Sequence, residues 1–287
     1  MNVLVATDGS KYGRWAMNWV ATLPLVEPPR VTALHVVDIA GLPAPFLAQP
    51  AIAGTERYVQ EEIQRMEARP AKALKEAKQQ LALLKLKGTV RKEHGAVAPT
   101  ILKRAPKRDG LLVVGSQGLD ALDRFLLGSV STKLIHHATC PVLVIKSEPG
   151  PLRRIIRATD GSDASAKALG FVLSHFQSDR SIGKGKRMPI HVSVIHVIPR
   201  IKYPAPKRAG EKIIEQCVQK LVKAGFTAES VCEFGKPAEE IRNVAAKEHA
   251  DLIVMGAQGL GAVTRFLIGS VSTRVVQHAD CAVLVVR

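Results

Sequence analysis

The chain has 287 residues, 46% of them hydrophobic, and a formal net charge of +16 at pH 7. This length suggests two domains, and the absence of any apolar run of about 18 residues excludes a conventional membrane-spanning helix. Residues 1–147 hold 20 Lys and Arg against 12 Asp and Glu, and residues 148–287 hold 21 against 13. The charge is therefore not a basic tail, and with 4% aromatic residues, specific nucleic-acid binding is not favoured.

The start of the chain and its cysteines both indicate a cytoplasmic protein. MNVLVATDGS enters a strand-like run directly, without the positively charged segment of a secretory signal. The four cysteines show no C-x-x-C spacing, which is typical of a reducing compartment and argues against a cysteine-rich zinc site. We expect small buried side chains at all of them, Cys140, Cys217, Cys232 and Cys281.

In chain order, the first half alternates short apolar runs with helical patterns. The runs have strand length and are NVLVAT (2–7), VTALHVVD (31–38), GTVRKEH (88–94), DGLLVVGS (109–116) and PVLVIK (141–146). After the first run, Trp15, Trp19 and Leu23 share one stripe of a predicted helix and are expected in the core. Residues 55–87 also have a helical pattern, in which Pro70 should cause a kink or a break.

The second half repeats the first. ATDGS at 6–10 returns at 158–162, LHVV at 34–37 returns as IHVI at 195–198, and FLLGSVST at 125–132 returns as FLIGSVST at 266–273. The offsets are unequal, which places insertions in the connections between elements. Pro and Gly residues in SEPGPL (147–152) indicate a linker. The sequence therefore predicts a duplicated unit with domains at 1–147 and 152–287.

The pattern of strands and helices predicts the fold of each unit. Several strands are apolar on both faces and alternate with helices, which is typical of a parallel sheet covered on both sides. Right-handed crossovers then give a doubly wound α/β domain, twice. Ligands of such sheets bind beyond the carboxyl ends of the strands, where the strand order reverses. Because the first and fourth strands end in TDGS and G-x-Q-G, we expect both turns to face one crevice.

The turn after the fourth strand has the spacing G-x2-G-x9-G-S in both halves. Gly115 follows the strand directly, where the lack of a side chain would let a ligand lie on the backbone. Gly128 precedes a predicted helix start with Ser129 or Ser131 as its cap, and free N–H groups there favour an anion. A phosphate chain is the expected occupant. The motif lacks the Gly-Lys-Ser/Thr of a Walker A loop and the G-x-G-x-x-G of dinucleotide-binding proteins.

An aspartate follows the first strand in each half, at the same crevice. Asp8 and Asp160 would suit ribose hydroxyls or a bound Mg²⁺ better than phosphate itself. The alternative is that each Asp-Gly-Ser merely turns the chain and caps a helix. His35 and His196, in matched strands, are expected to be packed residues, and His137 and His278 fall near helix ends.

These motifs, over nearly the whole chain, resemble the universal stress protein family, here as a tandem member. The resemblance implies two Rossmann-like five-stranded parallel-sheet domains with strand order 3-2-1-4-5, flanked by helices. It also implies bound ATP, with Mg²⁺ as an open addition, and pairing of the last strands. In a tandem chain PVLVI would pair with CAVLVV inside one molecule, giving pseudo-twofold symmetry, while a further homodimer stays open.

The resemblance also implies site residues. Near ribose and phosphates it places Thr7 and Asp8 in the first half, and Thr159 and Asp160 in the second. Against adenine, through the backbone, it places Val36 and Val197. The remaining ribose and phosphate contacts would be Gly115, Gly118, Gly128, Ser129, Val130 and Ser131, with Gly256, Gly259, Gly269, Ser270, Val271 and Ser272.

Departures from the family pattern bear on affinity. Leu119 and Leu260 stand where family members often have a basic residue, so one phosphate contact would be missing. Asp120 and Asp123 add negative charge to the first loop only, because the second has Gly261 and Thr264 there. We therefore expect the second site to bind ATP more tightly unless Mg²⁺ bridges those aspartates.

The motif supports binding more than catalysis. Fast hydrolysis needs a positioned water, a metal and a cation at the transferred phosphate, and only Arg124 and Arg265 are matched candidates within the motif. No Ser/His/Asp or Cys/His set recurs in both halves. The sequence thus favours a nucleotide-dependent regulator or stress-response protein. A slow ATPase or other ATP-using α/β enzyme, and a scaffold with vestigial nucleotide sites, remain as alternatives.

Overall fold

A computed structural model describes residues 1–38, 56–107, 109–118, 127–181, 187–199, 207–260 and 268–287. The strands of the first half are β1 Asn2–Ala6, β2 Arg30–Val37, β3 Gly88–His94, β4 Leu111–Gly115 and β5 Val142–Ile145. Its helices are α1 Lys11–Thr22, α2 Glu56–Leu83, α3 Val97–Arg104 and α4 Ser129–His137. All the predicted strands of this half are present.

The second half repeats this order and adds a small hairpin. Its strands are β6 Arg154–Ala158, β7 Asp179–Ser181, β8 Arg187–Pro189, β9 His191–Ile198, β10 Thr227–Phe234, β11 Leu252–Gly256 and β12 Ala282–Val286. Its helices are α5 Asp163–His175, α6 Lys207–Lys223, α7 Pro237–Lys247 and α8 Ser270–His278. Strands β7 and β8 pair antiparallel in a separate two-stranded sheet.

The large strands form one ten-stranded sheet in the order β10-β9-β6-β11-β12-β5-β4-β1-β2-β3. Within each half the neighbours are parallel and follow the predicted order 3-2-1-4-5. The halves meet where β12 and β5 pair antiparallel, with Leu284 opposite Leu143. The predicted α/β fold and the predicted pairing of the last strands are both confirmed.

Helices cover both faces of the sheet, as the two-sided apolar strands require. Val3 and Val5 of β1 point to the face covered by α1 and α2, whereas Leu4 points to the face covered by α3 and α4. Trp19 is 2% exposed in the first of these cores, as predicted. In the described ranges, no helix is long and apolar enough to cross a membrane.

Helix α2 corrects one expectation. The sequence predicted a kink or a break at Pro70, and the helix continues from Glu56 to Leu83 with Pro70 inside it, so the break is excluded. Proline costs a helix interior about 3 kcal/mol because it removes one hydrogen bond and crowds the preceding turn. The following turns place Ala73, Ala77 and Leu81 in the core, and their burial offsets that cost.

Reciprocal contacts reinforce the junction between the halves. Lys146, just past β5, donates to the carbonyl of Gln277 in the last turn of α8, with Nζ 2.9 Å from the oxygen. Arg287, the matching residue past β12, donates to the carbonyl of Ile135 in α4. A cation therefore meets the negative end of a helix dipole on each side of the junction. Burial lowers the pKa of Lys146 to about 8.

Candidate functional site

The first and fourth strands of each half are neighbours in the sheet. β1 pairs with β4, and β6 pairs with β11, so the TDGS and G-x-Q-G turns emerge side by side at the carboxyl edge. This is the point where the strand order reverses, as expected for a ligand crevice in an open α/β sheet. The second half has a cavity of about 570 Å³ there.

All the residues predicted for the second site line this one cavity. They are Thr159, Asp160, Val197, Gly256, Gly259, Gly269, Ser270, Val271 and Ser272. Apolar side chains from β9, α6, α7 and β11 complete the wall, among them Ile198, Ile213, Ile241 and Met255. The cavity thus combines an apolar wall, which suits a flat ring, with polar turns, which suit sugar and phosphate oxygens.

Asp160 joins the two turns of the second site. Its Oδ1 accepts from the Ser162 N–H and hydroxyl at 3.0 and 2.6 Å, and its Oδ2 accepts from the Leu260 N–H at 3.0 Å. In the first half, Asp8 Oδ1 accepts from the Ser10 N–H at 2.9 Å. Both aspartates therefore shape the Asp-Gly-Ser turn, and Asp160 also lines the cavity. The predicted structural role of the Asp-Gly-Ser turn is therefore present, and it leaves Asp160 at the cavity wall.

The serine after each aspartate caps a helix. Ser10 Oγ accepts from the Gly13 N–H, and Ser162 Oγ accepts from the Ser165 N–H, each at 3.2 Å. These bonds start α1 and α5 at fixed positions beside the fourth strand. The Asp-Gly-Ser segment therefore has a structural role in both halves.

Glycine is required at two kinds of position in the motif, for different structural reasons. A Cβ at Gly256 would lie 2.6 Å from the backbone of Ala164, and one at Gly115 would lie 2.6 Å from the Cβ of Tyr12. Glycine there lets the first turn of α5 or α1 pack against the end of the fourth strand. A Cβ at Gly259 would lie 2.5 Å from Asp160 Oδ2. Glycine at that position lets the aspartate reach the turn.

The last glycine of each motif is the N-cap of a helix. Gly128 precedes α4 and Gly269 precedes α8, and in the described part of the chain no side chain caps either helix. The first intrahelical bond runs from the Thr273 N–H to the Gly269 carbonyl at 2.9 Å. The N–H groups at 270–272 thus lie at the uncapped end of a dipole, beside the cavity, where they favour an anion.

The serine cap expected at these helices is wrong. Ser131 and Ser272 instead donate their hydroxyl protons to the carbonyls of Gly115 and Gly256, with oxygen separations of 2.6 and 2.9 Å. Ser129 is exposed and is itself the first helical residue. The hydroxyls one turn into each helix therefore hold it against the fourth strand, and the helix end stays open to a ligand.

Sequence reasoning missed the role of the matched histidines. His35 Nδ1 lies 2.9 Å from the Thr7 carbonyl, and His196 Nδ1 lies 2.8 Å from the Thr159 carbonyl. Because a carbonyl only accepts, Nδ1 must carry a proton in both rings. Burial lowers the pKa of His35, which keeps that ring neutral near pH 7. The common motif HV in LHVV and IHVI was the available signal.

The histidine bond marks the end of a strand ladder. The last backbone bond between β6 and β9 runs from the Thr159 N–H to the Ile195 carbonyl at 2.8 Å. The carbonyl of Thr159 itself accepts from the His196 side chain and not from the backbone of β9. Backbone groups two residues apart face the same side of a strand. Val197 therefore turns its N–H and carbonyl toward the space beyond the end of β6, where a ligand edge can bond them.

Within the described segments, no group of three or more His, Cys, Asp or Glu residues could hold a metal ion. Several residues on which the sequence analysis relied lie outside those segments, namely Leu119, Asp120, Asp123, Arg124, Gly261, Thr264 and Arg265.

Comparisons with known proteins agree with this architecture. A sequence profile of the universal stress protein family matches residues 1–146 and again 151–287. A universal stress protein of Mycolicibacterium smegmatis is 29% identical over 299 residues, covering 99% of this chain and 96% of that protein. A shorter one from Bacillus subtilis is 32% identical over 155 residues, covering 47% of this chain and 98% of the relative.

Solved structures show the same fold. A universal stress protein from Archaeoglobus fulgidus superposes with a TM-score of 0.70 at 21% identity, covering 100% of this chain and 96% of that one. A protein from Pseudomonas aeruginosa, described as a putative universal stress protein, superposes with a TM-score of 0.57 at 15% identity, covering 99% and 92%. The chain belongs to the universal stress protein family, as a tandem member with two copies of the family unit.

Proposed function

We propose that this protein binds ATP at the carboxyl edge of each half and acts as a nucleotide-dependent regulator or stress-response protein. The observation that carries the proposal is the cavity of the second half. It places an apolar wall and an uncapped helix N-terminus within one space of about 570 Å³. An adenine ring suits the first feature and a phosphate chain suits the second.

Each part of the nucleotide has residues to hold it in the second half. The backbone of Val197 would bond the adenine edge, and Thr159 and Asp160 would lie near the ribose and the phosphates. The turn at Gly259 and the N–H groups from 270 to 272 would hold the phosphates. The matching first-half residues are Thr7, Asp8, Val36, Gly115, Gly118, Gly128, Ser129, Val130 and Ser131. A Mg²⁺ ion, where present, would enter with the phosphates and neutralise part of their charge.

The order of the two affinities is a further part of the proposal. Charge-assisted hydrogen bonds contribute about 1.5 to 3 kcal/mol each, so a few net contacts reach the micromolar range, about −8 kcal/mol. The additional negative charge of Asp120 and Asp123 in the first loop opposes the phosphates there. We therefore expect the second site to bind ATP more tightly in the absence of Mg²⁺.

Two glycine variants test these sites in the full chain. A Cβ fits at Gly128 and Gly269, with nearest atoms at 3.4 and 3.5 Å, and these atoms belong to the G-x-Q-G turn of the same half. Gly269→Val should abolish the tighter of two binding events in an ATP titration, and Gly128→Val should abolish the weaker one. Gly170→Val is the control, because a Cβ on that helix meets nothing within 4 Å. Equal losses in all three variants would contradict the proposal.

The natural ligand and its fate need a separate measurement. Mass spectrometry of ligand released from the purified protein should find ATP. When the protein is incubated with ATP, ADP should not accumulate even over a time in which bound ATP dissociates and rebinds many times. Turnover within seconds would instead support an ATP-using enzyme. Absence of released nucleotide together with a flat ATP titration would support a scaffold with vestigial sites.

Organisation and location complete the proposal. We place the two domains at 1–147 and 152–287, supported by the strand order that recurs in each half. Cys140, Cys217, Cys232 and Cys281 are all free thiols, which is consistent with a reducing, cytoplasmic location. A homodimer of the full chain stays open, and size-exclusion chromatography with light scattering would decide it.

A further inference from the structure

A buried arginine lies beneath the second cavity. Arg157, in β6, is 1% exposed, and its guanidinium donates to the carbonyls of Ala158 and Ser165. It also donates to the hydroxyl of Ser165, with Nη2 3.1 Å from Oγ. Its Nε has no hydrogen-bond partner in the described residues. Its hydrogen bonds therefore go to neutral oxygens, which solvate it incompletely, and the Asp160 carboxylate acts on it only through space.

The hydrogen bonds continue from the arginine to the cavity wall. Ser165 Oγ lies 2.7 Å from Thr159 Oγ1, and both residues line the cavity. A guanidinium can only donate, so Ser165 Oγ accepts from Arg157, and the positive charge orients the serine O–H away from itself, toward Thr159. Thr159 Oγ1 also receives the Gly161 N–H at 3.4 Å. Its own proton is then left to donate into the cavity.

The first half lacks this chain of bonds. The position of Arg157 is Val5 in the matching strand, and the position of Ser165 is Gly13 in the matching helix. Val5 is fully buried among apolar residues, and a Cβ at Gly13 would lie 2.6 Å from Thr7 Oγ1. The two halves therefore differ in the charge beside the first strand, although their Asp-Gly-Ser turns and histidines match.

We propose that Arg157 is a positioning residue that, through Ser165 and Thr159, makes the second cavity select an anionic ligand over its neutral counterpart. The inference rests on the proposed function and adds a specificity to its second site. A ligand anion completes the solvation of the buried cation, which a neutral ligand cannot do. Burial lowers the pKa of Arg157 to about 10, so the guanidinium stays charged at neutral pH.

The test compares ATP with adenosine, which lacks the phosphates. Titrations use the full chain carrying Gly128→Val, so that only the second site is measured. Arg157→Met should lower the affinity for ATP by about tenfold, equivalent to about 1.4 kcal/mol, and leave that for adenosine nearly unchanged. Ser165→Ala should lower the ATP affinity less. Val5→Met places the same side chain in the matching strand of the first half and should change neither affinity.

Titration with inorganic tripolyphosphate distinguishes failure of this inference from failure of the proposed function. Binding of tripolyphosphate that weakens in Arg157→Met, without binding of ATP, would uphold the inference and overturn the proposed function. Binding of ATP with an unchanged ratio of ATP to adenosine affinity in Arg157→Met would overturn the inference alone. An equal loss of affinity for ATP and adenosine in Arg157→Met, together with a lower unfolding temperature, would show that Arg157 has only a structural role. That result would also overturn the inference. Absence of binding by any of the three ligands would overturn both.

Discussion

The contact between Gly259 and Asp160 offers a sharp test of how the second site is built. A Cβ at position 259 would lie 2.5 Å from Asp160 Oδ2, a distance that real Cβ contacts do not show. In Gly259→Ala the carboxylate must therefore move away from the turn. It then loses the hydrogen bond from the Leu260 N–H, which is 3.0 Å long in the unsubstituted protein. The G-x-Q-G turn would no longer be tied to the Asp-Gly-Ser turn.

The size of the effect follows from that bond. A hydrogen bond to a charged acceptor is worth about 1.5 to 3 kcal/mol, and the exposure of Leu260 argues for the low end. We expect a loss of about 1.5 kcal/mol in ATP binding, roughly tenfold. Isothermal titration measures this loss, and thermal unfolding checks the fold. Gly170→Ala, on a helix with no atom near its Cβ, is the control.

A double-mutant cycle identifies the cause. In Asp160→Ala the carboxylate oxygen that Gly259→Ala would displace is gone, so adding the second substitution should cost little more. Additive losses, or wild-type affinity in Gly259→Ala, would refute the reasoning that glycine is needed to admit the aspartate.

Further predictions concern the junction and the histidines. Burial holds the pKa of Lys146 near 8, below the 10.5 of a free lysine. Between these two pH values Lys146 is protonated in the unfolded chain but mostly neutral in the folded protein, so its contribution makes the free energy of unfolding rise with pH. Lys146→Met should flatten that rise in unfolding temperatures measured from pH 7 to 10, and parallel curves would contradict it. His196→Phe should weaken ATP and adenosine equally, by about 1 kcal/mol, through loss of the Thr159 bond; a change for ATP alone would be inconsistent. Leu143→Ala, in the fully buried β5–β12 pair, should lower the free energy of unfolding by about 2 to 5 kcal/mol in denaturant titrations.

Much of the fold could be predicted because the same sequence motifs occur in both halves of the chain. The strands and turns recur in the same order at matched positions, and this recurrence showed the duplicated α/β unit. The strand order came from the resemblance to the family, and the neighbouring turns were expected because ligands bind where the strand order reverses. The β7–β8 hairpin was missed because strands of three residues, DRS and RMP, are too short to show a period. The break at Pro70 was wrong because local preference takes no account of the burial that follows along α2.

The residues of the candidate site could be named from the motif, but not their bonding. Ser131 and Ser272 stand where a cap is plausible, yet the carbonyl that ends the fourth strand accepts their protons. Arg157 stands in an apolar strand, and sequence alone does not show which neutral oxygens surround it. Such partners come from chain segments brought together only by folding, so a linear pattern cannot reveal them.

A crystal structure of the full chain grown with ATP tests the central claim most directly. We expect adenine against the apolar wall with its edge at the Val197 backbone, and phosphates at the N–H groups that follow Gly269. Density for ATP elsewhere on the molecule, or an empty cavity at saturating ATP, would contradict it.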